Sequence, residues 1–213
     1  MLTVHHLGKS QSERIVWLCE ELDLPYTLKT YARDAVTVFS PPELRAKHPI
    51  GAAPLLEDGD VFLAESAAIA EYILLKYGRG RLVAGPDEPG FAPYLYWFHF
   101  ANGTLQPALG RRMVISRLDP PADNKVLLNA QDRLGRAFGL IERRLGEVPY
   151  LAGEDFSAAD IMTVFSLTTM RYFQPVDLAP YPNIRAYLQR IAARPAYGRA
   201  MAKGDPGMAL LLS

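Results

Sequence analysis

The chain has a single cysteine, Cys19. No internal disulfide framework can form, and the sequence fits a reducing compartment. Long apolar runs are missing too: nothing approaches the roughly eighteen uninterrupted apolar residues of a membrane span. Excess charge is absent, with lysine plus arginine and aspartate plus glutamate at 23 each. A nucleic-acid binder needs a basic face to displace counterions, so that class is excluded. The opening MLTVHHLG has no basic region ahead of an apolar stretch, so no secretory signal is read there. These absences predict a cytoplasmic protein that works on small molecules or associates with itself, with neither nucleic acid nor membrane as a partner.

What is present is a large apolar fraction, 49% of 213 residues, enough for one large domain or two small ones. Residues 2–7 are rich in strand formers and lead through Gly8 into a polar run. A helical period follows, with Ile15, Leu18, Cys19 and Leu22 on one face and Pro25 as its stop. Tyr26 to Tyr31 reads as a second strand, parallel to the first because a helix separates them. Pro41-Pro42-Glu43 opens a short helix that ends at His48-Pro49. Two brief strands, Pro54–Glu57 and Val61–Leu63, flank Asp58-Gly59, a strong hairpin signal. Glu65 to Tyr77 reads as a helix with Ala68, Ile69, Tyr72 and Ile73 inward.

Between residues 78 and 90 glycine and proline cluster as in a linker. Beyond it no strand pattern remains. Helical periods run over 91–117, 124–146, 158–172 and 183–203. The expected organisation is an α/β domain over 1–80, a linker over 81–89 and an all-helical domain over 90–213.

Two features of the first domain could hold a ligand. Pro54 stands at the start of a strand, where it removes a ladder donor; a cis bond there would turn the backbone of Ala53 toward an extended ligand. Glu65-Ser66 opens a helix, whose first N–H groups and positive dipole end suit a carboxylate, while Glu65 can accept from an ammonium. Each also has an ordinary explanation, a strand-edge proline and a helix cap.

Taken jointly, His48-Pro49-Ile50-Gly51-Ala52-Ala53-Pro54-Leu55, the hairpin and Ala64-Glu65-Ser66-Ala67-Ala68-Ile69 resemble the N-terminal domain of cytosolic glutathione transferases. The resemblance covers the whole chain and implies a thioredoxin-like domain followed by an all-helical one. It implies glutathione as co-substrate, Ala53 in backbone pairing with its cysteine, Pro54 in cis, and Glu65 and Ser66 on its γ-glutamyl group. It further implies a hydrophobic electrophile as second substrate and a homodimer. The opening Val4-His5-His6-Leu7, Ser10-x-Ser12-x-Arg14, Trp17 and Glu20-Glu21-Leu22 look like a fungal and bacterial subgroup. One position departs from the family: many members carry a lysine where Ala52 stands, so the glycine carboxylate must be held by another group, with Lys9, Lys47 and His48 as candidates.

Family members activate the thiol with tyrosine, serine or cysteine after the first strand. A glutathione thiol near pKa 8.5 is only a few per cent ionised at neutral pH. Lowering it by roughly two units takes about 2.7 kcal/mol of preferential thiolate stabilisation. No tyrosine precedes Tyr26, and Cys19 falls inside the first helix as a small buried hydrophobe, which leaves serine. Ser10, four residues before Arg14, has the offset of the serine-type members. Ser12 is its competitor, and either could simply cap the helix.

Ser157-Ala158-Ala159-Asp160 reads as a capping box, a folding element rather than a catalytic one. The aromatics Tyr94, Tyr96, Trp97, Phe98 and Phe100 read as core or interface; the resemblance adds that the matching helix lines the electrophile pocket. His5 and His6 point to opposite faces of a strand with no further ligands nearby, so no metal site is expected.

Overall fold

The computed structural model describes residues 2–213, which divide into two compact units. The first runs to Leu82 and also takes in Ala192–Ala209. Its four-stranded sheet has the order β2-β1-β3-β4. β1 (Leu2–Leu7) and β2 (Tyr26–Tyr31) pair in parallel from Leu2↔Tyr26 to Leu7↔Tyr31, joined by α1 (Glu13–Glu21). α2 (Pro42–Arg45) precedes β3 (Leu55–Asp58) and β4 (Val61–Leu63), an antiparallel hairpin turning at Gly59 with φ 61°. β3 also pairs antiparallel with β1, which is therefore central. α3 (Ser66–Tyr77) closes the motif, and the fold is thioredoxin-like. Its inward face is Ile69, Ala70, Ile73 and Leu74; Ala68 is exposed and Tyr72 half-buried, so the expected face is rotated by about one residue.

α1 is buried on every side, not on one face. The reason lies near the other end of the chain. The helical period expected over 183–203 is two helices, α8 (Pro182–Ala192) and α9 (Pro195–Gly204). Pro195 lacks an N–H and disfavours helical geometry in the residue before it, and Arg194 is extended at φ −79°, ψ 118°. The break lets α9 pack on α1. Arg194 grips Glu21 through two 2.7 Å bonds, and Arg199 meets Glu20 at 3.0 Å. The Tyr197 ring stands edge-on to Trp17 at 4.8 Å. Residues 90–213 are therefore not one unit, because α9 covers the acidic face of α1.

The second unit spans Val83–Ile191 with Leu210–Ser213 and is helical. α4 (Phe91–Phe100) continues through a π-helical turn, Ala101–Leu105, into α5 (Gln106–Ser116). The uninterrupted helix expected over 91–117 is thus widened, just ahead of Pro107. Proline has no N–H for the carbonyl four residues back and its ring crowds that carbonyl, so the turn before it must adjust. α6 (Lys125–Glu147) packs on α5, and α7 (Ala158–Leu167), wholly buried, packs on α4. A 3₁₀ turn, Thr169–Tyr172, follows α7 where one helix to 172 was expected. Asp160 accepts from the Ser157 backbone at 2.9 Å, from Leu151 N–H at 3.0 Å and from the Tyr187 hydroxyl at 3.0 Å, so it is structural. Tyr94, Trp97, Phe98 and Phe100 lie in this unit's core, while Tyr96 is exposed. Among the described residues no helix is long and apolar enough to cross a membrane.

Candidate active site

The strand directions decide where the candidate residues meet. β1 ends at Leu7; β3, antiparallel to it, begins at that same end; β4, antiparallel to β3, ends there again. The loop Gly8–Ser12, the Ala53-Pro54 bond and the Ala64–Ser66 corner therefore share one edge of the sheet. Leu7, Leu44, Ala53 and Leu55 form one buried cluster with Tyr31 and Ala64 packed against it, which fixes the three segments to one another.

The Ala53-Pro54 peptide is cis, and Ala53 lies beyond the last β1–β3 pair, His5↔Leu55. Glu65, the N-cap of α3, holds φ 70° and ψ 113°, a left-handed conformation costing a non-glycine residue about 1–3 kcal/mol. Its carboxylate is exposed, whereas Ser66 is only 1% exposed. Ser66 Oγ accepts from Arg14 Nη1 at 3.2 Å and donates to Gln11 Oε1 at 3.4 Å; Arg14 also donates to Gln11 at 3.1 Å. Burial pulls the Arg14 guanidinium down to about 9, against the charge of Glu13, so it stays cationic at neutral pH beneath the start of α3.

Ser10 and Ser12 are not alternatives in space but partners, with their hydroxyls 2.7 Å apart. Ser12 is the N-cap of α1, yet its side chain makes no capping bond. It turns back instead, accepting from Leu7 N–H at 3.1 Å and lying 2.9 Å from His6 Nδ1. Ser12 has no exposed surface and Ser10 retains 6%. His6, also buried, sets its Nε2 at 3.2 Å from Asp205 Oδ2 just past α9.

Lys9, at φ 51°, donates its N–H to Asp205 Oδ1 at 2.9 Å. Arg33 clamps the same loop, donating to the carbonyls of Gly8 at 2.9 Å and Lys9 at 3.1 Å. His48 Nδ1 accepts from Ile50 N–H at 3.2 Å, organising its own turn. Lys47 Nζ sits 3.4 Å from Glu57, which also meets His5 Nε2 at 2.9 Å. Lys9 therefore belongs to the loop after β1, and Lys47 and His48 to the connection before β3.

Residues 1–74 match the glutathione S-transferase N-terminal domain and residues 105–195 the glutathione S-transferase C-terminal domain. A crystal structure of a glutathione S-transferase from Actinobacillus pleuropneumoniae superposes with a TM-score of 0.88 at 34% identity, covering 100% of this chain and 99% of that one. Glutathione S-transferase 3 of Schizosaccharomyces pombe is 29% identical over 225 residues, covering 100% of this chain and 92% of that protein. The disulfide-bond oxidoreductase YfcG of Escherichia coli is 28% identical, covering 97% of each.

The chain belongs to the glutathione S-transferase family.

In this transferase several residues at the sheet edge escaped the sequence reading. Gln11 and Arg33 carry no motif of their own, and Arg14 served only to mark an offset. His6 stands in the sequence only as one half of a His pair, and Asp205, 199 residues away, carries no signal at all. A Cβ on Gly204 would lie 3.1 Å from His6 Nε2, and one on Gly8 would lie 3.3 Å from Asp205 Oδ1, so a larger residue at either would crowd this pair.

Proposed function

We propose that this transferase binds glutathione along the shared sheet edge and presents its thiolate to a hydrophobic electrophile. Ala53 pairs with the backbone of the glutathione cysteine, preceding the cis Pro54. The γ-glutamyl ammonium meets the exposed Glu65 carboxylate, and its carboxylate meets the N–H groups that open α3 at Ser66, above the buried Arg14 cation. Lys9 and His48 are the groups offered for the glycine carboxylate. Ser10, the serine with surface to offer, faces the sulfur, and Ser12 stands behind it. The reaction is nucleophilic substitution or addition by sulfur, with proximity supplying part of the acceleration. The reading includes a cytoplasmic homodimer.

The observation that carries this is the convergence of Ser10, Ala53 and Glu65-Ser66 on one edge, which the strand directions enforce. Retention on immobilised glutathione and elution by the free tripeptide test binding. Turnover across haloarenes, enones, hydroperoxides and disulfides tests the chemistry. A retained protein silent on every substrate would leave a non-catalytic glutathione binder, and activity confined to hydroperoxides would leave a peroxidase on the same scaffold. Disulfide exchange is the second reading, favoured by likeness to a disulfide-bond oxidoreductase. Burial pushes Cys19 up to about 12, so such exchange would run on glutathione thiols alone.

A further inference from the structure

We propose that Ser12, His6 and Asp205 form a proton relay that ionises the glutathione thiol through Ser10, with the His6–Asp205 pair as the internal base. The proposal rests on Ser10 facing the sulfur, and goes beyond it by assigning the destination of the thiol proton.

Proton positions follow from the hydrogen-bond network. Burial alone would push Asp205 up, but the hydrogen bond from His6 and the N–H and charge of Lys9 hold its carboxyl below the usual range. It is therefore an acceptor at neutral pH, and His6 must present Nε2–H to it. In a neutral imidazole that leaves Nδ1 bare. The single Ser12 proton goes to Nδ1 at 2.9 Å in preference to the Leu7 carbonyl at 3.4 Å. Ser12 Oγ then accepts the Ser10 proton across 2.7 Å, and Ser10 Oγ accepts Ser12 N–H at 3.2 Å.

At rest, then, the Ser10 proton points inward and cannot be donated to a thiolate. The outward face of Ser10 is a lone pair, which accepts a thiol S–H. Moving each proton one place along the chain removes this conflict. The S–H bond breaks, Ser10 takes that proton and passes its own to Ser12, and Ser12 passes its own to His6 Nδ1. The products are a thiolate, a Ser10 hydroxyl now aimed at it and backed by the Ser12 hydroxyl, and an imidazolium beside ionised Asp205. The same chain returns the proton to the leaving group or to water when the thioether departs. Lys9 and Arg33 are the charged groups acting on Asp205; both are cations and oppose the imidazolium, and the buried carboxylate offsets them. Gly204 lies close against the imidazole, where an added Cβ would come within 3.1 Å of Nε2.

The test compares Ser10→Ala, His6→Gln and Asp205→Asn with the parent protein. Thiolate ultraviolet absorbance of the glutathione complex is followed against pH, with affinity measured calorimetrically. The amide that Asp205→Asn introduces offers one oxygen where Lys9 N–H and His6 Nε2–H each need an acceptor, and it supplies no negative charge. His6→Gln and Asp205→Asn should each raise the bound thiol pKa by about one unit, from about 6.5 to about 7.5, roughly a threefold loss of thiolate at neutral pH. Affinity should be near the parent value and turnover should recover toward pH 8.5, which a merely structural defect would not do. A parent-like thiol pKa in either variant, with Ser10→Ala shifted, overturns the relay and leaves the Ser10 reading standing. A parent-like pKa in Ser10→Ala overturns both. Should either variant fail to fold, ¹⁵N resonances of His6 in the parent decide: conversion from the Nε2–H tautomer to imidazolium on glutathione binding supports the relay, and a neutral ring throughout overturns it.

Discussion

Arg14 Nη1 donates to Ser66 Oγ at 3.2 Å across 52 residues of sequence. This bond links the first turn of α1 to the first turn of α3, so the two halves of the candidate glutathione site are positioned by one buried side chain. It also divides labour at the Glu65-Ser66 corner. The Ser66 hydroxyl is committed to Arg14 and Gln11, whereas the Glu65 carboxylate is exposed toward solvent.

Glu65→Ala should therefore weaken glutathione binding by about 1–3 kcal/mol, the loss of a charged partner, with little change in melting temperature. Ser66→Ala should lower stability as well, because it strips an acceptor from a buried guanidinium. Calorimetric titration beside thermal melts separates the two. Parent affinity in Glu65→Ala would remove it from the ammonium site.

In the helical unit Asp160 accepts from two backbone N–H groups and two hydroxyls while fully buried. Asp160→Ala should destabilise the protein by about 3 kcal/mol or more, since each orphaned buried donor costs about 1–3 kcal/mol. Where enough folded protein survives, glutathione affinity should match the parent. Denaturant melts check the first statement; a loss under about 1 kcal/mol would contradict the buried network.

Acid should act through Asp58. Lys76 Nζ at 2.7 Å, Tyr77 OH at 2.5 Å and Tyr72 OH at 2.8 Å hold its carboxyl at about 2, below its ordinary 3.8. A depressed folded-state pKa gives stability that is present above about pH 4 and lost as pH falls toward 2. Asp58→Asn should thus be less stable than the parent at neutral pH and converge with it in acid. Urea midpoints between about pH 2 and 7 follow this, and a constant gap across that range would refute it.

Cys19 is fully buried in α1 and burial, aided by the charge of Glu20, pushes its thiol up to about 12. An aromatic disulfide reagent at about pH 8 should leave it unmodified in the folded protein and modify it on unfolding in urea. Rapid labelling of the native protein would mean that α1 opens far more readily than its packing indicates.

The sequence alone determined whatever depends on near neighbours along the chain. The strands Leu2–Leu7 and Tyr26–Tyr31, the Asp-Gly hairpin and the Ser157–Asp160 box stand where local pattern put them, because periodicity, turn chemistry and capping act over a few residues. The family motif around Pro54 and Glu65-Ser66 was legible for the same reason: its residues are close in sequence and of specific kinds. Tertiary structure alone decided the rest. Nothing local to Glu20 and Glu21 signals that α9 comes back to pair with them. Ser12 had the composition of a cap, yet packing turned its hydroxyl toward His6. Asp205 could not be read as the partner of His6 at all, because only the break at Pro195 and the close approach at Gly204 bring it there. Contacts of that kind are set by how whole elements stack, and no local pattern in the chain encodes them.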